Sequence, residues 1–290
     1  MDLLGYGKSP APDDVSAYSC ENLVAHQLLL LSHLKSKSAI WVGHDWGCGP
    51  LWTLASHCPE KCRAIISICI PYRVLELGLE ELKKWGINRE IYPEKEFPHG
   101  QWDYQVHYEQ NGRAAAEEFQ KQTPLAVRLF FGKARPGSFM KPGPTASVTK
   151  FGSWFATRGS LEVPLSNTVL DEEMYEALVE SLERNGWWAP TAYYLNHTRN
   201  REYNRDENVH KGGVLDMPVL YIDAKYDSVC SVAQTPTLAE PMKRLCKDLE
   251  MASVDTAHWA NLEQPDECNG FMTGFFRRKG LLPEAEKARL

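Results

Sequence analysis

Gly43-His44-Asp45-Trp46-Gly47 follows directly on the apolar run Ala39-Ile40-Trp41-Val42 and precedes a second apolar stretch that begins at Gly49. Four apolar residues closed by a glycine predict a buried strand. The stretch from Gly49 to about Ser56, stopped by Pro59, predicts a helix. Glycines two positions before and two after Asp45 permit a sharp turn between strand and helix. Such a turn lifts the central side chain above the strand end and sets the N–H groups of a helix N-terminus beside it. The plainer reading is that Asp45 only caps the helix. A cap, however, requires neither glycine on both sides nor a buried strand before it.

Outward from this turn, the same two elements recur. Tyr18–Leu34 reads as an amphipathic helix with Ser19 as N-cap and Leu23, Leu30 and Leu34 on one face. Ala64–Ile70 is a further buried strand, ending at Pro71. Buried strands alternating with helices predict an α/β fold with a parallel sheet covered on both faces. From Arg73 to about Val214 the pattern changes to helices, aromatics and long loops. Lys133–Lys150, rich in Pro and Gly, reads as a surface loop. Asp171–Asn185 reads as a capped helix closed by Gly186, and a short helix is expected over Pro190–Asn196. Strands resume at Val219–Ala224 and Leu249–Asp255, with a helix around Met242–Asp248 between them. The last helix starts near Pro265 and stops at Gly280. Residues 1–72 and 215–290 are therefore expected to form one core, and 73–214 an inserted helical lid.

The composition limits the function. The chain has 290 residues, 43% hydrophobic and 24% charged, which is ordinary globular usage. A net charge of −6 makes a poor general nucleic-acid binder. Apolar runs such as Leu28-Leu29-Leu30-Leu31 are too short for a membrane span, and no secretory signal is visible at Met1–Gly5. None of the eight cysteines forms a Cys-x-x-Cys pair, and several sit in apolar segments, as buried thiols do. Such usage suits a reducing compartment. His57, Cys58 and Cys62 are close in sequence, but no second cluster completes a metal site. Oligomeric state is not legible.

An aspartate at the apex of this turn has a chemical meaning. A carboxylate attacking a saturated carbon gives an alkyl ester, which water can hydrolyse at the carbonyl. A serine attacking the same carbon would give an inert ether. Asp45 therefore points to substitution at a saturated carbon, as in an epoxide or an alkyl halide. Hydrolysis of the ester then needs a base and an orienting acid. His258, just after the Leu249–Asp255 strand, and Asp227, just after Val219–Ala224, both lie where open parallel sheets place their sites. Asp223 and Asp255 compete with Asp227 for the acid role.

These segments together resemble the epoxide hydrolases of the α/β-hydrolase fold, and the resemblance points to a fungal member. It rests on Asp2–Ser9 (Asp-Leu-Leu-Gly-Tyr-Gly-Lys-Ser), Gly43–Gly47, Trp102-Asp103-Tyr104-Gln105, Pro190–Tyr194, Asp227 and His258-Trp259. The order nucleophile, acid, histidine is that of the same fold. The resemblance implies that two lid tyrosines hold the epoxide oxygen, at Tyr104 and Tyr194, with Tyr193 adjacent to the latter. Phenols suit that task, because ring opening creates an alkoxide that needs a proton. No metal or organic cofactor is implied, and the expected partner is a small apolar epoxide. A vicinal diol would be the product.

One feature departs from the family. Its members carry a His-Gly-x-Pro turn ahead of the Asp-Leu-Leu-Gly-Tyr-Gly segment, and that turn supplies part of the oxyanion hole. This chain starts inside the later segment. The sheet is thus expected to lack early strands, leaving Ala39–Val42 as an apolar edge and the Trp46 N–H as the recognisable oxyanion donor. Two other readings follow: a haloalkane dehalogenase, with the Trp46 indole N–H on the halide, and a non-catalytic remnant that binds a ligand or partner. The C-terminal Ala288-Arg289-Leu290 resembles a peroxisomal signal, so a peroxisomal or cytoplasmic location is expected.

Overall fold

In the computed structural model, which describes residues 1–156 and 163–282, four parallel strands form one sheet. They are β1 (Ala39–His44), β2 (Cys62–Ile68), β3 (Leu215–Ala224) and β4 (Cys246–Val254), adjacent in that order. One row across the sheet runs His44, Ile68, Ile222, Ala252. Side chains alternate between faces, as the period of a strand demands. Ile65, Val219 and Tyr221 enter one apolar cluster; Ala64, Ile66, Ile68, Leu220 and Ile222 enter the other.

Helices cover both faces. α1 (Cys20–His33) and α2 (Cys48–His57) precede β2. Between β2 and β3 lie α3 (Leu79–Trp85), α4 (Asp103–Lys121), α5 (Thr123–Phe130), α6 (Val148–Phe151), α7 (Glu172–Asn185), α8 (Trp188–Ala192) and α9 (His197–Tyr203). After β3 come α10 (Glu240–Leu245), α11 (Ala260–Glu263) and α12 (Pro265–Arg278). Leu23, Val24, Leu51, Trp52 and Leu54 seat α1 and α2 on the first cluster, and Cys268 and Phe275 seat α12 on the second.

Several local expectations need correction. Ser19 does cap α1, its hydroxyl accepting the Asn22 N–H at 3.4 Å, but Leu34 is 64% exposed. The buried stripe is Leu23, Val24, Gln27 and Leu31, because residues four and eight apart share a face. The helix expected over Met242–Asp248 ends early: Cys246 pairs with Leu215 and already belongs to β4. Pro190–Asn196 is not one helix. α8 ends at Ala192, a tight turn spans Tyr193–Leu195, and α9 begins at His197. Within Lys133–Lys150, Thr145, Ala146 and Val148 are buried, so that segment is partly core. The α7 reading holds: Asp171 Oδ1 accepts the Met174 N–H at 2.8 Å, and Gly186 follows with φ +79°.

The Asp2–Ser9 segment is fastened to the helical segment between β2 and β3. Tyr193 donates its O–H to the Leu4 carbonyl at 2.8 Å, and Asn185 Nδ2 donates to the Gly7 carbonyl at 3.0 Å. A Cβ on Gly5 would sit 2.2 Å from the Ala189 Cβ, so only glycine permits this approach. All eight cysteines are free, and all but Cys58 are buried. No described helix is long and apolar enough to cross a membrane. Ala288-Arg289-Leu290 lies outside the described residues.

Candidate active site

Asp45 stands at the end of β1, directly before α2, with φ +48°. A non-glycine residue in that region costs on the order of 1–3 kcal/mol and must be held by its surroundings. Gly43 helps to hold it: a Cβ there would come 2.9 Å from the Gly47 carbonyl oxygen. At Gly47 itself a Cβ would meet nothing within 4 Å, so packing demands glycine before the apex but not after it. The Trp46 backbone N–H lies near enough to the Asp45 carboxylate to favour its charged form.

His258 reaches Asp45 from the loop after β4. Its Nδ1 lies 2.8 Å from Asp227 Oδ2, and its Nε2 lies 3.6 Å from Asp45 Oδ1. A carboxylate only accepts, so Nδ1 carries a proton and donates it to Asp227. The other oxygen of Asp227 accepts the N–H groups of Val229 at 2.8 Å and Cys230 at 3.3 Å. Asp223 is engaged elsewhere, by the Val232 N–H at 2.9 Å and the Tyr221 hydroxyl at 3.2 Å. Asp255 pairs with Lys225 at the surface.

Burial alone would lower the His258 pKa. The Asp227 and Asp45 carboxylates outweigh it and push the imidazole well above its ordinary value. Burial would likewise raise Asp45, but His258, then His44 and the Trp46 N–H, bring it below the ordinary carboxylate value. In the free chain, then, an ionised Asp45 faces an imidazolium.

Tyr104, in the first turn of α4, and Tyr194, between α8 and α9, meet with ring centroids 5.6 Å apart. Tyr194 also packs edge-on to Trp46 at 4.9 Å. Burial foremost pushes both phenols well above their ordinary pKa, and the Asp45 charge adds to it. Both therefore remain O–H donors. Gln105 Nε2 donates to the Tyr104 oxygen at 2.9 Å, which leaves the Tyr104 proton free for another acceptor. Tyr193 lies apart in role, its hydroxyl committed to Leu4.

Residues that the sequence did not single out for the site also converge here. His44 Nε2 and Cys69 Sγ both donate to the His258 backbone oxygen, at 2.8 and 3.0 Å. Tyr108 lies one helical turn beyond Tyr104 on α4, its ring 4.8 Å from that of Tyr194. The pattern Tyr-x-x-x-Tyr on one helix was the available signal for it. Among the described residues, His44, Cys69 and His258 also bring one possible metal ligand each within 4.8 Å. All three are already committed to hydrogen bonds at this loop.

Comparison with known proteins agrees with this architecture. A profile of the alpha/beta hydrolase fold matches residues 1–265. Bifunctional epoxide hydrolase 2 of Sus scrofa is 26% identical over 270 residues, covering 93% of this chain and 44% of that protein. The chain thus spans less than half the length of that relative. Epoxide hydrolase srdG of Neurospora crassa is 26% identical over 287 residues, covering 96% of this chain and 77% of that one. The crystal structure of Epoxide Hydrolase A from Mycobacterium thermoresistibile superposes with a TM-score of 0.73 at 24% identity, over 95% of this chain and 81% of that one. From its sheet, its turn after β1 and its match over residues 1–265, this chain belongs to the alpha/beta hydrolase fold family.

Proposed function

We propose that this chain hydrolyses an epoxide to a vicinal diol through an ester on Asp45, with residues 73–214 acting as the lid over the site. The observation that carries the reading is His258 set between two carboxylates, 2.8 Å from Asp227 and 3.6 Å from Asp45, with two phenols that feel the Asp45 charge. Relatives named epoxide hydrolase support it.

An Asp45 oxygen attacks one ring carbon, and the bond from that carbon to the epoxide oxygen breaks. The phenol of Tyr104 or Tyr194 gives its proton to the leaving oxygen. Esterification removes the Asp45 charge, one of the two that hold His258 protonated. The imidazole pKa falls, and its proton returns to the phenolate through the site. The neutral imidazole then takes a proton from water as that water attacks the ester carbonyl. The Trp46 N–H faces the oxyanion. The acyl bond breaks, the proton left on the new Asp45 carboxyl passes to the departing alkoxide, and the diol leaves with one Asp45 oxygen.

That last feature gives the test. A single turnover in water enriched in heavy oxygen should label the Asp45 carboxylate and leave the first diol unlabelled. Label in the first diol would overturn the ester route. Halide release from an alkyl halide, without diol from any epoxide, would favour the dehalogenase reading. A halide leaves without a proton and needs no pair of phenols.

A further inference from the structure

The mechanism uses two phenols, and a third, Tyr108, packs against both, while Tyr6 also feels the Asp45 charge. Tyr104, Tyr108 and Tyr194 form a triangle with ring centroids 5.8, 4.8 and 5.6 Å apart. Tyr108 is 4% exposed, on the same face of α4 as Tyr104. The charge of Asp45 reaches its phenol, as it reaches the other two. The hydroxyl of Tyr108 donates no hydrogen bond to an acceptor among the described residues, and the Trp154 ring stacks beside its ring with centroids 6.4 Å apart. Tyr104 likewise has its proton left over, its oxygen accepting from Gln105.

A phenylalanine would fill the same space against Tyr194 and Phe119 without a polar atom to satisfy. A buried O–H with no acceptor is costly, and a bound group that accepts from it recovers that cost. Around the three phenols the walls are aromatic, with Trp154 5.5 Å from Tyr104 and 6.4 Å from Tyr108. Such a site takes a largely apolar body with few, placed oxygens.

We propose that Tyr108 is a specificity-determining residue, donating its O–H to a second oxygen of the substrate on the carbon next to the epoxide ring. The preferred substrates are then oxygenated epoxides, such as epoxy alcohols, rather than plain alkyl epoxides. This rests on the epoxide reading of the same site.

The test compares an epoxide bearing a hydroxymethyl group next to the ring with its analogue bearing ethyl in the same place. For the wild-type chain kcat/KM should favour the hydroxymethyl epoxide by about tenfold, the upper range for one buried hydrogen bond. In Tyr108→Phe, which keeps the ring, that preference should vanish. A wild-type chain without the preference, or a Tyr108→Phe variant that retains it, overturns the proposal. A second arm uses the two matching compounds with cyclopropane in place of the oxirane, with dissociation constants from calorimetry. If neither epoxide is turned over, the catalytic reading fails. The cyclopropane pair then decides the subsite: tighter binding of the hydroxymethyl compound, lost in Tyr108→Phe, supports it, and equal binding to the wild type overturns it.

Discussion

His44 hydrogen-bonds through its ring Nε2 to the backbone oxygen of His258 at 2.8 Å, although the two belong to opposite edges of the sheet. His44 ends β1, and His258 lies in the loop that follows β4. Three strand spacings, about 14 Å, separate those edges. The loop after β4 must therefore cross above β3 and β2 to bring the imidazole over Asp45. Burial, then the charge on His258, lowers the His44 pKa to about 4, so the ring is neutral at pH 7. A carbonyl cannot donate, so the single ring proton of His44 resides on Nε2. The position of His258 and the identity of the residue before Asp45 are thus one matter.

His44→Phe keeps a ring against His258 and Trp259, which lie 4.8 and 4.9 Å away, but removes the N–H. Losing one such bond is worth about 1 kcal/mol, or about fivefold in rate if it is felt at the base. Ester hydrolysis should slow by that order while ester formation, which needs no base, changes less. Single-turnover kinetics resolve the two steps. Equal slowing of both would place the role of His44 outside the positioning of His258.

Asp45→Ala should end both turnover and covalent labelling, and Asp45→Ser should end turnover as well, because an ether formed there cannot hydrolyse. Mass spectrometry of the protein after incubation with an aryl epoxide reads the adduct directly. An adduct of unchanged size on Asp45→Ala would remove Asp45 from the mechanism.

His258→Gln should separate the two half-reactions. Substitution by Asp45 proceeds without a base, so one equivalent of ester forms quickly. Hydrolysis then stalls for want of an activated water. A stoichiometric burst with little steady turnover is the expected trace. Burst and turnover falling together would deny His258 the role of base.

The sequence made the first three strands legible because each carries a short apolar run closed by Gly, Pro or Asp, whereas β4 mixes apolar residues with Lys247, Asp248 and Glu250. It misplaced Leu34, since a helix face cannot be read past an unseen C-terminus. It misjudged the junction at Cys246, where a ladder bond to Leu215 wins over helical spacing. At the site, Asp45 was visible through the strand and turn around it, which are local. Tyr104 and Tyr194 were visible only through a resemblance, because nothing local marks one tyrosine among twelve. His44, Cys69 and Tyr108 escaped notice as site residues for a related reason. His44 and Cys69 meet His258, and Tyr108 meets Tyr194, only across long stretches of sequence, which the crossing loop and the packing of α4 bring together.

β1 is an edge strand, and its Val42 side chain is 53% exposed. An uncharged, exposed edge invites pairing with another chain. Val42→Lys should lower self-association at high protein concentration, read by light scattering, without a change in the far-ultraviolet spectrum. Scattering that stays the same would overturn a role for Val42 in association.

Glu76 provides the last test, away from the chemistry. Its side chain is fully buried, its Oε1 accepts the Arg73 N–H at 3.0 Å, and its Oε2 has no partner among the described residues. Burial raises its pKa from 4.5 to about 7, against the pull of backbone N–H groups and of Arg73. Cys20, Cys48, Tyr72 and Cys246 are the other titratable groups that feel its charge. The folded chain thus binds this proton more tightly than the unfolded chain does. Stability from this group is complete below pH 4.5 and is lost as pH rises through about 7. The raised pKa corresponds to roughly 3 kcal/mol at pH 8. Glu76→Gln keeps an oxygen for the Arg73 N–H and cannot ionise. Urea unfolding should find the variant and the wild type nearly equal at pH 5 and the variant more stable at pH 8, by up to that amount. Parallel stability curves across this range would mean that Glu76 ionises without penalty inside the fold.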